Sequence, residues 1–441
     1  MKRALLVSLV LASSCSITPA DWGFGAMRTM KTPEDPPLKC GTVLPSVKAD
    51  ERTACTYKAK AMPADTLGVT PEQMADVPIR HVIIVMLENR GFDHLLGRLH
   101  DQGQPLTDAI PADYANPDKT GAMVKPFHAD TTCIQSDPGH QAASMKVVVN
   151  GGKMDGFVLN AANTTDTDGH FAVSMYEQTD VPFYYWMAST WALNDRYFSP
   201  MVSGTFGNRV FFMFGDNHGV VDTGIVYPDP STNSIFRELM NAGYTWGAYT
   251  DDPKGPLSTT LNWTNTDPGV HSVKDLYDAL DNGTLPNVVF IDADEEKNDD
   301  HPLADIQQGE KFLHELYTHV TNSPQWNRTA MFWTYDEGGA FFDHVTPPKG
   351  CESVPGSPWL DRGVRIPMVV VSPWAKKGFV SHVNNDHTSM TRFIETVFNL
   401  PAMTARDANA DAFFDMFDFT CGRDLTPPAN VPMPGTGGCV K

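Results

Sequence analysis

The sequence predicts an α/β fold: a doubly wound, largely parallel central sheet with loop insertions. Three observations predict it. Apolar, β-branched runs of strand length recur along the chain, segments with helical spacing separate them, and several end abruptly in acids or amides. Apolar runs without alternation belong to strands buried on both faces, and open α/β sheets place their ligands at the carboxyl ends of such strands.

The chain has 441 residues, enough for one large domain with insertions. Residues 1–20 read as a secretory signal. Lys2 and Arg3 precede a short apolar run, Ala4 to Ala12, that is too short to span a bilayer. Two processing readings compete: cleavage after Ala20, which is favoured, and lipidation at Cys15 within Leu11-Ala12-Ser13-Ser14-Cys15. The protein is therefore expected to be exported, periplasmic or secreted. Residues 21–78 are rich in Pro, Lys and Thr, lack sustained periodicity, and read as an extended arm before a domain at 79–441. Six further cysteines suit an exported chain with up to three disulfides. Short spacings suggest Cys40–Cys55 and Cys421–Cys439, which leaves Cys133 with Cys351.

With 53 acidic against 33 basic residues the chain carries a formal charge of −20, which argues against nucleic acid as a partner. No cysteine or histidine spacing suggests a zinc ribbon.

The first core strand is Val82 to Leu87, followed at once by Glu88 and Asn89 and then by a short helix around His94–His100. Residues 101–150 read as polar loop carrying Asp137-Pro138-Gly139-His140, and Gly151–Phe157 as a turn into another loop-rich stretch. Val181–Ala192 suggests a buried aromatic helix. In Ser203-Gly204-Thr205-Phe206-Gly207-Asn208-Arg209, a hydroxyl between glycines precedes a buried segment. That arrangement fits a nucleophile on a turn opening a helix, where backbone N–H groups face an anion. Further strands are predicted at Tyr244–Tyr249, Asn287–Asp292, Thr329–Tyr335 and Ile366–Ser372, with a crossover helix at Ile306–Val320. The strand ending at Tyr335 delivers Asp336, Glu337 and two glycines. Two strands of one sheet thus present adjacent oxygen ligands, Glu88 with Asn89 and Asp336 with Glu337, a set suited to one divalent cation. Without a cation or a shared proton these carboxylates repel one another and their pKa values rise. Of the histidines, His387 reads as structural, beside capping residues that open a helix ending near Phe398. Trp246, Trp263 and Trp359 are candidates to line a headgroup site, with packing the rival reading.

The segments ENRGFDHLLG, the threonine before NR, DHP before a helix, TYDEGGAFFDHVTPP and VRIPMVVVSPWAKKG resemble, in this order over about residues 79–418, the bacterial phosphoesterase family of secreted phospholipases C and acid phosphatases. The resemblance implies an alkaline-phosphatase-like catalytic domain at 79–441 that hydrolyses phosphate esters. It also implies one divalent metal of unspecified identity on Glu88, Asn89, Asp336 and Glu337. The nucleophile would be Thr205, His140 and His301 would contact the phosphoryl group, and Asn89 and Asn208 would join them in binding substrate. The substrate would be a small phosphate ester or a phospholipid headgroup, with peripheral membrane contact in the second case. Two departures stand out. The family pattern has prolines where this chain has Gly204 and Gly207, which predicts a looser nucleophile turn. The sequence ends soon after the matched core, so the extra C-terminal domains of longer phospholipases C are not expected. A non-catalytic exported binding protein or surface lipoprotein with a degenerate site is the rival reading.

Overall fold

The computed structural model describes residues 37–41, 47–222, 233–252, 255 and 269–436. The expected signal, Cys15, Trp263 and Cys439 lie outside the described residues.

An eight-stranded sheet organises the molecule. Its strands run in the order Val380–Ser381, Ala192–Asn194, Met368–Val371, Thr329–Tyr335, His81–Leu87, Val288–Ile291, Trp246–Tyr249, Val270–His271. Neighbours pair in parallel except at Met368–Val371, which is antiparallel to both of its own. The expected largely parallel sheet is therefore present. Pro367 and Pro373, which lack N–H donors, confine the strand expected at Ile366–Ser372 to its four central residues.

The two central strands, His81–Leu87 and Thr329–Tyr335, are buried along their whole length, as their unbroken apolar runs require. They pair in register from His81 against Thr329 to Leu87 against Tyr335. That register sets Glu88 beside Asp336 at the carboxyl edge, where the Asp336 N–H donates to the Leu87 carbonyl (3.1 Å). On the other flank Val85 pairs with Ile291, so Asp292 arrives at the same edge.

Helices follow the apolar spacing. Ile306–Asn322 starts where Asp305 caps the Gln307 N–H, and His387–Val397 starts where Asp386 caps the Thr388 N–H (2.9 Å). Pro182–Thr190 is helical, but Ala192–Asn194 leaves the expected helix to join the sheet. Two stretches expected as loop are helical, Ala142–Val149 and Phe157–Thr164. Both bury apolar residues in a small second core with Phe342 and Val364, a tertiary partner that local periodicity does not reveal.

The arm is not pinned by Cys40–Cys55. Cys40 bonds Cys421 and Cys55 bonds Cys351, so the expected Cys40–Cys55, Cys421–Cys439 and Cys133–Cys351 pairs are all replaced. The reason lies in the arm's path. Its described part crosses to the far end of the chain, where Arg52 pairs with Asp411 (2.9 Å), and it places Leu67, Val69, Met74 and Val77 in the main core. Trp246 is core as well, 3% exposed, so it lines no open surface. No helix of the described residues is long and apolar enough to cross a membrane.

Candidate active site

The carboxyl edge of the sheet gathers the expected site residues. Glu88, Asn89, Asp336 and Glu337 are all buried there. The side-chain amide of Asn89 sits between them. One of its polar atoms lies 3.0 Å from Asp336 Oδ1 and 2.9 Å from Glu337 Oε1, and the other lies 3.1 Å from His301 Nε2. Two arrangements of that amide satisfy chemistry: NH₂ toward the acids, or oxygen toward a cation the three groups share.

Thr205 opens the Thr205–Phe214 helix. The Thr205 side chain helps to hold the Asp336 carboxyl down against burial, and Gly204 before it carries no side chain that could cap the first turn. The N–H groups of that turn are thus left to the site. The two glycines have a purpose that flexibility does not describe. A Cβ on Gly204 would lie 3.2 Å from the His140 carbonyl, and one on Gly207 would lie 2.7 Å from Met201 Sδ and 3.0 Å from the Val220 carbonyl. The turn is also braced. Asn208 donates to the Ser203 (2.9 Å) and Gly204 (3.0 Å) carbonyls and accepts from the Met201 N–H (3.0 Å). Expected among substrate contacts, Asn208 instead commits its amide to holding Thr205 in place.

Both histidines arrive from loops. His140 Nδ1 lies 2.9 Å from the Pro138 carbonyl and His301 Nδ1 lies 2.6 Å from the Pro302 carbonyl, which leaves each Nε2 for other partners. Their rings meet edge to face, 6.2 Å apart. Ligand atoms of Asp137, His140 and His301 lie within 4.8 Å of one another, one of two groups in the described residues with metal-holding geometry. Asp299 fixes the His301 loop by accepting from the N–H groups of Glu88 (2.9 Å), Asp300 (2.5 Å) and His301 (3.0 Å).

Arg209 is the principal residue that sequence reasoning missed. Only 2% exposed, it donates to Asp292 Oδ1 (2.5 Å) and Glu88 Oε1 (3.0 Å), and its Nε sits 3.6 Å from Asp336 Oδ2. Its sole sequence signal is its place next to Asn208. One guanidinium does not balance the acids around it. Burial and then Asp336 push the Glu88 carboxyl well above the usual range, and burial pushes Asp336 up although Arg209 opposes it. Glu337 is pushed up to about 8 by burial, with His140 opposing and Asp336 adding. Burial alone would depress His140, but Glu337 and Asp137 outweigh it and raise the imidazole to about 10. His387 stands behind the site, its Nε2 2.8 Å from the Asp336 carbonyl and its Nδ1 2.8 Å from the Tyr197 hydroxyl, a supporting position.

The sequence model of the phosphoesterase family matches residues 79–401. Non-specific phospholipase C6 of Arabidopsis thaliana is 30% identical over 397 residues, 81% of this chain and 74% of that protein. Phospholipase C B of Mycobacterium tuberculosis is 29% identical over 436 residues, 82% of this chain and 81% of that one. Non-hemolytic phospholipase C of Burkholderia pseudomallei is 30% identical over 394 residues, 73% of this chain and 55% of that one.

Proposed function

Because the chain belongs to the phosphoesterase family and is a hydrolase of phosphoric ester bonds, we propose that it works through a phosphothreonine on Thr205 at a metal-assisted site and acts outside the cytoplasm. The observation that carries this reading is the placement of the Thr205 hydroxyl. It lies at a helix N-terminus, close enough to Asp336 to favour that carboxyl's charged form, within a cluster of acids and one amide.

Asn89, Asp336 and Glu337 lie close enough to share a divalent ion, while the three carboxylates Glu88, Asp336 and Glu337 are not among the groups of the described residues whose ligand atoms all lie within 4.8 Å of one another. The Asn89 amide and the carboxylates of Asp336 and Glu337 crowd at hydrogen-bond distance, and Asp336 Oδ2 is buried without a hydrogen-bond partner. Glu88, Asn89, Asp336 and Glu337 would hold one ion, an oxygen-rich set that several cations accept. When bound, it supplies Lewis-acid stabilisation of phosphoryl charge and lowers the pKa of a nearby hydroxyl.

The chain's own groups account for the rest. Thr205 Oγ1 attacks phosphorus, and Asp336, whose charged form the Thr205 side chain favours, is the acceptor at hand for its proton. The phosphorus–oxygen bond to the alcohol breaks, and His301 gives that oxygen a proton. Backbone N–H groups of the Thr205 turn, with His140, hold the phosphoryl oxygens as charge builds. Water then cleaves the phosphothreonine, and the hydroxyl regains its proton. Asn208 and Arg209 position rather than react.

The relatives' names support phospholipid headgroups as candidate substrates, beside small phosphomonoesters, with peripheral membrane contact in the lipid case, and the −20 charge argues against nucleic acid. Disulfides to Cys40 and Cys55 support export. Thr205→Ala should lose turnover of p-nitrophenyl phosphate and of a phosphodiester by on the order of a thousandfold, while Thr205→Ser retains much of it. Turnover of Thr205→Ala within about tenfold of wild type would replace the covalent step with direct attack by water.

A further inference from the structure

Beside the Thr205 site lies a second concavity, of about 700 Å³. One wall is the carboxyl end of the Ala142–Val149 helix, whose other end starts two residues after His140. The opposite wall is the loop from Thr346 to Arg362, and Val202 contributes to the floor. Val202 precedes Thr205 by three residues, so the floor lies within roughly 10 Å of the nucleophile's backbone.

The walls are built, not incidental. Arg406 donates to the Trp359 carbonyl (2.8 Å) and to the Pro200 carbonyl (2.7 Å), so one buried guanidinium holds both the groove wall and the segment leading to Thr205. Cys351 ties the same loop to Cys55, and the Thr346 hydroxyl donates to the Gly152 carbonyl (2.6 Å), which joins the two walls. The lining is cationic in an acidic protein. Lys146, Lys349 and Arg362 line it with one carboxylate, Asp361, while the chain as a whole carries −20. Arg362 is itself paired with buried Asp386 (2.7 Å), so the two lysines are the exposed cations. The Lys349–Asp361 pair is exposed at 3.8 Å and neutralises little. Half-buried Trp359 adds an aromatic face.

We propose that this groove binds the far side of the substrate and selects phosphodiesters whose alcohol carries further negative charge, such as a phosphorylated polyol headgroup. The proposal rests on the reading of Thr205 as a phosphoesterase nucleophile. A quaternary ammonium headgroup meets the exposed ammonium groups of Lys146 and Lys349 here and is disfavoured, whereas a second phosphate gains charge-assisted hydrogen bonds and a ring gains the indole face.

The test separates binding from turnover. Full-length wild type and the Lys146→Glu/Lys349→Glu variant, both exposed positions outside the Thr205 site, are titrated with inositol 1,4-bisphosphate by calorimetry. Wild type should bind at least about tenfold more tightly than the variant. Equal affinity overturns the proposal. In turnover, the kcat/KM ratio of dihexanoyl phosphatidylinositol 4-phosphate to dihexanoyl phosphatidylcholine should fall about tenfold in the variant, with p-nitrophenyl phosphate hydrolysis unchanged. An unchanged ratio, or a parallel loss on all three substrates, also overturns it. Wild type that binds the bisphosphate but hydrolyses none of the three sinks the phosphoesterase reading and leaves the groove standing. Long-chain phosphatidylinositol 4-phosphate in phosphatidylcholine vesicles identifies the source: cleavage there assigns the anionic group to a membrane lipid, and cleavage of the short-chain ester alone assigns it to a dispersed one.

Discussion

Arg209 and Arg365 are buried to nearly the same degree, and each is set among carboxylates beyond the ends of the two central strands, yet their surroundings are completed differently. Arg365 spends every side of its guanidinium: Nε on Asp343 (2.9 Å), Nη2 on Asp93 (2.8 Å) and Nη1 on the Asp195 carbonyl (3.1 Å). His344 adds a further contact to Asp93 (2.5 Å). Asp93, Asp343 and His344 have metal-holding geometry, but Arg365 already occupies the position between the two acids. Around Arg209 the pairing is incomplete. Its Nε and Asp336 Oδ2 face each other at 3.6 Å without a hydrogen bond, and Glu337 lies beyond its reach with a raised pKa. A completed cluster locks loops together. An incomplete one leaves buried carboxyl groups whose charge is not balanced and whose pKa values are therefore raised.

The sharpest way to break this comparison is to remove one acid from each cluster. Asp336→Ala should abolish measurable hydrolysis of p-nitrophenyl phosphate, by a thousandfold or more on the order expected for a group acting at the reaction centre. It should also remove bound divalent metal, read by elemental analysis of the purified protein. Asp343→Ala should leave metal stoichiometry and the activity of the folded fraction close to wild type. Metal retained in the first variant, or lost in the second, would reverse the two assignments.

Next in size is the arginine of the completed cluster. Arg365→Met leaves Asp93 and Asp343 buried without their cation, a change that costs about 3–5 kcal/mol. The urea midpoint should fall accordingly, with KM for p-nitrophenyl phosphate unchanged where the protein remains folded. Arg209→Met should divide its effect the other way, with most of the loss in kcat. Equal stability losses in both would mean that Arg209 is as structural as Arg365.

Much of this is legible in the sequence, and what is not has a common cause. Glu88, Asn89, Asp336 and Glu337 can be placed from the chain because two unbroken apolar runs end in them, and parallel pairing from His81 to Leu87 carries that alignment into space. Thr205 needs the family pattern to single it out, since a hydroxyl between glycines is locally unremarked. Arg209 stands in the motif, but the sequence does not assign it a role. Its partners Glu88, Asp292 and Asp336 come from three strands that no local spacing relates. The disulfides fail for the same reason: Cys55 and Cys351 stand 296 residues apart, and only the arm's path across the surface brings them together. Asn208 is the converse case. The motif suggests a ligand contact, while the turn geometry uses the amide to replace the rigidity that Gly204 and Gly207 give up.

The smallest effect separates the clusters by pH. Burial alone would lower the pKa of His344, but Asp93 outweighs it and holds the imidazole above its ordinary value. Asp93 moves down although burial opposes, chiefly because of Arg365 and then His344. A histidine with a raised folded pKa contributes stability that is complete below its ordinary value of about 6.5 and is lost as pH rises through the raised one. Asp343 changes in the same direction with pH, because burial, its largest cause, lifts it to about 6 while Arg365 and His344 oppose that rise. The informative quantity is therefore the difference between wild type and His344→Gln. Wild type should melt higher than the variant at pH 5.5–6, by about 2 °C for a chain of this size, and the gap should close by pH 9. A gap that stays constant across that range would show that His344 is neutral throughout and that Arg365 alone balances the two acids. A gap that closes assigns the charge balance of this cluster to its own side chains, which is the property the Arg209 cluster lacks.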